Sequence, residues 1–406
     1  MSQTCIVIGA SHAAAQLSAS LRQEGWSGRI LVIGNEQSLP YQRPPLSKAY
    51  LSGDVTDEGL LIRKPAFFDQ KQIEFLLGVS VTHIDRTGKT IQLSTGEQLT
   101  YDKLALCTGA RVRQLGLPGE TLPGVHYLRT LSDVEHIRAD VQPAKSAVII
   151  GGGYIGLEAA ASLTKLGMRV TVLEAESRVL ARVTAPEVSA FYTRIHQQEG
   201  VQIITETTVT ALRGERCIES VECSDGRSIA ADMVVIGVGV IVNDELAKDA
   251  NLTVDNGVVV DEFAQTSDPD IVAAGDVTSH FNGIYERRLR LESVPNATEQ
   301  AKTAAASLCG KAKPYCTLPW FWSDQYDLKL QIAGLNQGYD RLIIRGDIEN
   351  SRSFAAFYLC EGRLIAADCV NRPAEFMAVK KSLTTGAAMD VEKLADETVA
   401  AKELFL

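Results

Sequence analysis

At 406 residues the chain is long for one hydrophobic core and fits two or three domains. Its 45% hydrophobic and 22% charged residues describe an ordinary globular protein, and no apolar run approaches the ~18 residues of a membrane span. The 40 basic and 50 acidic side chains leave a net charge of −10 without a long basic run, which argues against nucleic acid as a partner. The first strand begins almost at the N-terminus and leaves no room for a leader peptide, so the expected location is the cytoplasm.

The run Cys5-Ile-Val-Ile8 reads as a strand, Gly9-Ala-Ser11 as a tight turn and His12-Ala13-Ala14 as the start of a helix. Such a turn aims helix N-terminal amides at a pyrophosphate. Gly9 takes the first glycine position of G-x-G-x-x-G, Ser11 the second and Ala14 the third, where alanine is tolerated. Ser11 puts a side chain where backbone usually meets phosphate, although its hydroxyl is itself a donor. Alone, this loop reads equally well as a plain strand-turn-helix. His12 is placed either beside a diphosphate or simply in solvent. The next strand, Arg29–Ile33, runs into Gly34-Asn35-Glu36; the ribose partner is Glu36, with Asn35 the weaker alternative. Lys48 ends a proline-rich turn, and without further information is a surface lysine. Leu104–Cys107 reads as a further strand.

The second glycine loop is the stronger signal. Gly151, Gly153 and Gly156 match G-x-G-x-x-G after the β-branched strand Val148–Ile150. Leu157–Gly167 reads as its helix, with Tyr154 and Ile155 at its start. The strand Arg169–Leu173 then leads to Glu174, 23 positions after the first glycine against the about 20 expected of a ribose acid. A carboxylate there takes both ribose hydroxyls and repels a 2′-phosphate, and Glu176 adds to the repulsion, so NADH is expected over NADPH. Arg178 and Arg182 stand close by as the opposing feature. Glu158 lies in the first turn of the helix, where an acid is favourable. Two such loops imply two dinucleotides, a flavin facing a nicotinamide.

Val201–Thr205 and Asp232–Gly237 continue the second unit as strands. From residue 314 alternating aromatic and β-branched runs such as Ser353–Cys360 predict an antiparallel sheet, followed by a helix over Pro373–Leu383. The expected fold is α/β: two Rossmann-like dinucleotide-binding domains and a C-terminal α+β domain. The boundaries are 1–111 with 241–313 for the flavin, 112–240 for NADH, and 314–406.

The eight cysteines are scattered, without C-x-x-C, C-x-x-C-H or metal-ligand spacing, so neither iron–sulfur cluster, haem nor metal is expected. Cys217 and Cys223 read as unremarkable thiols, Cys5 and Cys107 as buried small hydrophobes. Residues 34–51, where a redox thiol would follow the first βαβ unit, contain no cysteine.

Several segments carry a more specific likeness: Pro40-Tyr-Gln-Arg-Pro-Pro-Leu-Ser-Lys48, Thr108-Gly109, Tyr127-Leu-Arg-Thr130, Gly275-Asp276, Glu292-Ser-Val-Pro-Asn-Ala297 and Pro319-Trp-Phe-Trp-Ser-Asp-Gln-Tyr326. With the two loops, in this order and over essentially the whole chain, they resemble the two-dinucleotide-binding-domain flavoproteins, within them the ferredoxin reductases of oxygenase systems. The resemblance implies FAD held non-covalently through Gly9, Ser11, Ala13, Ala14, Asn35 or Glu36, Arg43, Lys48, Val81, Thr108, Gly109, Arg129, Gly275, Asp276 and Val294. It implies NADH on Gly151, Gly153, Tyr154, Ile155, Gly156, Glu158, Glu174 and Gly239. Ser11 departs from the family pattern, as does Val242, where such chains often carry proline.

Hydride transfer between nicotinamide and flavin needs no protein acid at the reacting carbon; the protein supplies orientation and charge. Lys48 is then the ammonium beside the flavin, Glu158 its partner and an anchor for the nicotinamide amide, and Trp320 an aromatic near the flavin edge or the acceptor route, while Trp322 fills the C-terminal core. With no thiol, cluster or haem on board, the resemblance makes the acceptor an acidic two-iron two-sulfur ferredoxin feeding a monooxygenase or dioxygenase. It would dock on a basic patch drawn from Arg287, Arg288, Arg290, Lys302, Arg372, Lys380 and Lys381. A monomer or weak homodimer is expected. The alternatives are a rubredoxin reductase and a slow NADH-sensing flavoprotein resembling apoptosis-inducing factor.

Overall fold

The structure is a computed structural model that describes residues 3–405. The chain gathers into two compact units, Met1–Gln42 with Asp57–Arg111 and Ile241–Pro319, and Arg43–Thr56 with Val112–Val240 and Trp320–Leu406.

In the first unit the apolar run Thr4–Ile8 is the middle strand of a five-stranded parallel sheet. Its neighbours are Arg29–Gly34 and Lys103–Leu106, with Ile73–Leu77 and Ile271–Ala273 outside. Successive side chains go to opposite faces. Cys5 and Val7 join a core with Leu17 and Leu21 of the helix His12–Glu24 and Ala301 and Ala305 of the helix Val294–Leu308. Ile6 and Ile8 join another with Leu31, Ile33, Leu104 and Val258. A strand covered on both faces has no polar side, which is why it reads as an unbroken apolar run. Val242, the departure from the proline pattern, packs half-buried against this second core.

The second unit repeats the parallel design. Ser146–Ile150 is flanked by Arg169–Leu173 and Met233–Ile236, with Gln202–Ile204 and Val125–Tyr127 outside. The unit also holds a five-stranded antiparallel sheet in the order Trp320–Gln325, Leu328–Gly334, Arg363–Val370, Phe354–Cys360, Arg341–Arg345. The helix Pro373–Thr385 packs on it, fixed by a buried Arg345–Glu375 ion pair at 3.1 Å.

The units divide the chain differently from the sequence boundaries, for local reasons. Residues 43–56 join the second unit because Ser47, Lys48 and Asp54 are bonded to Glu158, Ser162 and Lys165 of the nucleotide helix. Residues 314–319 stay with the first, where Tyr315 donates to Glu262 O and to Asn296 Oδ1.

One buried acid links the parallel part of the second unit to the antiparallel sheet. Asp368, on the strand Arg363–Val370, is 1% exposed. It accepts from Thr184 Oγ1 and Tyr358 Oη, both at 2.5 Å. Burial outweighs these two hydroxyl donors and raises its pKa from 3.8 to about 6. A carboxyl raised on folding contributes stability that is fully present below about pH 4 and is lost as pH rises through about 6. Asp368→Asn keeps an acceptor for the hydroxyls and carries no charge. Calorimetry should find it more stable than wild type at pH 7.5, by up to roughly 3 kcal/mol, with no gain at pH 4. An unchanged pH slope would contradict this.

Candidate active site

The helix Tyr154–Lys165 starts at Gly153 without a side-chain cap, so its first-turn amides are left for a ligand. Two glycines serve the fold itself. Gly151 has φ +109°, and a Cβ there would lie 2.5 Å from Gly237 O; at Gly156 it would lie 2.1 Å from Gly151 O. Gly153 is different: a Cβ would meet nothing within 4 Å, as at Gly239. That open backbone is the cradle a pyrophosphate needs. Ile155 is 43% exposed beside it, an apolar side chain facing outward at the helix start. Tyr154 turns inward and its hydroxyl is buried, so it offers the nucleotide only backbone.

Glu174 stands at the end of the strand Arg169–Leu173. Its Oε2 accepts from Gly152 N at 2.7 Å and its Oε1 from Glu176 N at 2.9 Å. Two such bonds orient a carboxylate while leaving acceptor positions for both ribose hydroxyls. Arg178 donates to Ser189 Oγ on the following helix, Pro186–Gln198, and to Ala181 O in its own loop. Arg182 is exposed.

In the first unit Ser11 is the N-cap of His12–Glu24, and its side chain does not cap the helix. His12 is the first helical residue and half-buried. Gly9 has φ +108° and passes so near Cys107 that a Cβ would lie 2.1 Å from its carbonyl oxygen. Ala13 and Ala14 are buried against the sheet. After the strand Arg29–Gly34, Asn35 is exposed, whereas Glu36 is half-buried and accepts from Tyr41 Oη at 2.5 Å. Gly275 N and Thr278 Oγ1 both donate to Gln300 Oε1, which fixes the turn carrying half-buried Asp276. Thr108 Oγ1 donates to Asn243 O at 2.7 Å, and Gly109, φ +60°, has open space above it. Val81 packs into the core with Ile84 and Ile91. Val294 opens the helix Val294–Leu308, capped by Ser293. A glycine turn, an uncapped helix start and a held acid fit a flavin dinucleotide.

Arg43, Lys48 and Arg129 belong to the second unit. Arg43 Nη1 donates to Arg129 O at 2.6 Å. The Lys48 ammonium is 2.7 Å from Glu158 Oε2 and 3.0 Å from Pro44 O. The Lys48–Glu158 pairing expected from the resemblance is thus present, and Glu158 is 4% exposed. Ser47 and Ser323 also donate to its carboxylate, at 2.5 and 2.6 Å. Trp320 lies in an aromatic group with Trp322 at 5.5 Å and Phe376 at 5.8 Å, and Lys380 Nζ is 4.7 Å from its ring centre. Trp322 is half-buried on this face and does not fill the core as expected, because strand alternation puts it beside Trp320.

Four of the proposed docking cations are committed locally. Arg288 donates to Ser279 O, Arg290 pairs with Glu292, Lys302 with Glu299 and Arg372 with Glu397. Lys380 and Lys381 rest on the rings of Trp320 and Phe405. Cys5 and Cys107 are buried, and burial pushes the Cys107 thiol up to about 12 and Cys5 higher still. Neither is a thiolate at neutral pH.

Residues 3–301 match the pyridine nucleotide-disulphide oxidoreductase family. The chain belongs to this family. Residues 320–405 match the reductase C-terminal module. Putidaredoxin reductase of Pseudomonas putida is 44% identical, covering 98% of this chain and 96% of its own. A crystal structure of the covalent putidaredoxin reductase–putidaredoxin complex superposes with a TM-score of 0.96 at 44% identity, over 99% of this chain and 98% of that one. A rubredoxin-NAD(+) reductase of Pseudomonas putida is 37% identical over 91% of this chain and 96% of its own. The chain is an oxidoreductase flavoprotein whose cofactors are FAD and NAD(H).

Sequence reading missed Ser47, Ser323, Tyr41 and Gln300. Ser47, Ser323 and Tyr41 sit inside quoted motifs without a role; the available signal was a small polar residue at an inward position of an apolar strand, as at Ser323. Glu174→Ala should raise the Michaelis constant for NADH roughly ten- to a hundredfold with little change in maximal rate, the scale of lost hydrogen bonds to a charged acceptor. Steady-state kinetics with NADH and NADPH measure it, and a wild-type preference for NADPH would refute the assignment.

Proposed function

We propose that the chain is an NADH-dependent ferredoxin reductase: hydride passes from NADH to FAD, and electrons leave one at a time to two molecules of a two-iron two-sulfur ferredoxin that serves a monooxygenase or ring-hydroxylating dioxygenase. One observation carries the choice of acceptor. The family includes disulphide reduction in its name, yet this chain has no cysteine in residues 34–51, and Cys5 and Cys107 are buried with raised thiol pKa values. Without a thiolate to relay them, electrons go to an external carrier. A rubredoxin reductase would use the same chain chemistry, as the rubredoxin-NAD(+) reductase relative illustrates.

The FAD dinucleotide is assigned to the first unit: its pyrophosphate to the start of His12–Glu24, its ribose to Glu36 rather than exposed Asn35, and its ribityl chain to Asp276. Val81 contributes through backbone. Residues 112–240 take NADH, with the pyrophosphate on the amides after Gly153 and the ribose on Glu174. Bound FAD supplies the conversion of a two-electron donor to one-electron delivery. The chain supplies charge and orientation. Lys48 carries an ammonium fixed by Glu158, a group suited to stabilise negative charge developing on the ring system. Arg43 and Arg129 complete the cationic set.

Docking is assigned to the Trp320, Phe376 and Lys380 group, because an aromatic face with an adjoining cation suits an acidic partner. No described helix is long and apolar enough to cross a membrane, and we place the enzyme in the cytoplasm with its carrier.

Cytochrome c reduction mediated by a panel of ferredoxins and rubredoxins, at two ionic strengths, tests the acceptor. Turnover should be fast with a cognate two-iron ferredoxin, slow with oxygen, and weaker at high salt. Lys380→Glu should depress ferredoxin reduction while sparing ferricyanide reduction. Rapid turnover with a disulfide, or none with any ferredoxin, would refute the proposal. Separately, Lys48→Met should slow flavin reduction by NADH in stopped flow with FAD still bound; an unchanged rate would leave Lys48 only the structural role of pairing with Glu158.

A further inference from the structure

The carboxylate of Glu158 has three donors from two segments of the second unit, the turn of Ser47 and Lys48 and the strand Trp320–Gln325. Lys48 Nζ and Ser47 Oγ approach Oε2 at 2.7 and 2.5 Å, and Ser323 Oγ approaches Oε1 at 2.6 Å. With 4% of the residue exposed, water is a poor substitute for any of them.

The direction of the bond from Ser323 is fixed. An ion-paired carboxylate only accepts, so the single hydroxyl proton of Ser323 points at Glu158. The remaining neighbour of Ser323 must then donate to it, which sets Gln325 with Nε2 toward Ser323 Oγ at 3.1 Å and Oε1 toward His196 Nε2 at 2.8 Å. His196 is fully buried, and burial lowers its pKa to about 4, so the ring is neutral. Its one N–H is on Nε2 and serves Gln325. Nδ1, at 3.0 Å, accepts from Tyr326 Oη. Four hydrogen bonds, from Tyr326 through His196, Gln325 and Ser323, thus run in one sense and end on Glu158. Bonds aligned in this way polarise one another.

We infer that Ser323 is a positioning residue of the hydride-transfer site, holding Glu158 and through it the Lys48 ammonium. This makes the strand Trp320–Gln325 serve two ends of the reaction: Trp320 and Trp322 on one face, Ser323 and Gln325 on the other. The inference rests on the proposed role of Lys48 and Glu158.

The test is stopped-flow reduction of the oxidised, FAD-loaded protein by NADH, paired with thermal unfolding of the same samples. Ser323→Ala should slow reduction roughly tenfold, the scale of one hydrogen bond to a charged group. Ser323→Thr keeps the hydroxyl and should restore the rate. Gln325→Met, which removes the donor behind Ser323 together with the acceptor of His196 Nε2, should slow reduction about threefold. In a Glu158→Ala background, adding Ser323→Ala should slow reduction no further, while the lost bond from Gln325 still lowers the unfolding midpoint. If Glu158→Ala slows reduction but Ser323→Ala does not, the inference falls and the site reading stands. If Ser323→Ala costs as much without Glu158 as with it, the serine is merely structural and the inference falls. If Glu158→Ala itself leaves reduction unchanged, the reading of the site falls.

Discussion

A buried carboxylate has to be surrounded by donors, and Glu158 obtains them from chain segments that are far apart in sequence. Desolvating one ion costs several kcal/mol, so its site holds only if every partner arrives together. The turn after Arg43 brings Ser47 and Lys48, the nucleotide helix brings Glu158 itself, and the strand Trp320–Gln325 brings Ser323. Ser162 Oγ, one turn further along the helix, donates to Ser47 O and holds the turn in register. This need explains why residues 43–56 leave the unit that flanks them in sequence.

The dinucleotide loops obey a different constraint, steric rather than electrostatic. A strand entering a helix within three residues has to pass its backbone close to a neighbouring strand. At Gly9 and Gly151 the neighbours are carbonyl oxygens of Cys107 and Gly237, with no room for a Cβ. Gly156 meets its own loop at Gly151 O. Among the glycines of these two loops only Gly153 is unconstrained by protein, which sets it apart from those the fold requires. The first loop uses Ser11 at the corresponding position, and its helix instead brings Ala13 to the Gly275 turn.

The central strands of both parallel sheets, the helices after the two glycine loops and the antiparallel character of the C-terminal sheet were legible from apolar periodicity and glycine spacing, whereas the outer strands Ile73–Leu77 and Val125–Tyr127 and the helix Pro186–Gln198 were not. Glu36 and Glu174 stood out as well, since an acid at the end of a second strand is a local signal. The contact of Tyr41 with Glu36 rather than with Asn35 was not legible, because it depends on the turn that folds Tyr41 back. Ser47 and Ser323 escaped for a similar reason. Their partner lies 111 or 165 positions away, and nothing near either serine marks it as the donor to a buried charge. Trp322 was misplaced because an aromatic in a strand suggests core, whereas alternation puts it on the same face as half-buried Trp320.

The family resemblance and the thiol chemistry together narrow how electrons leave. A dithiol relay needs a cysteine that ionises near neutral pH, hence an exposed or positively charged setting. The sheet strands give Cys5 and Cys107 the opposite, apolar neighbours and no solvent. The same packing that makes the first sheet stable therefore keeps these two thiols out of a disulfide relay. That agrees with relatives named as ferredoxin reductases, whose acceptor is a separate protein. The strand Trp320–Gln325 is divided by its own alternation: Trp320 and Trp322 share one face with Phe376 and Lys380, while Ser323 on the other is committed to Glu158.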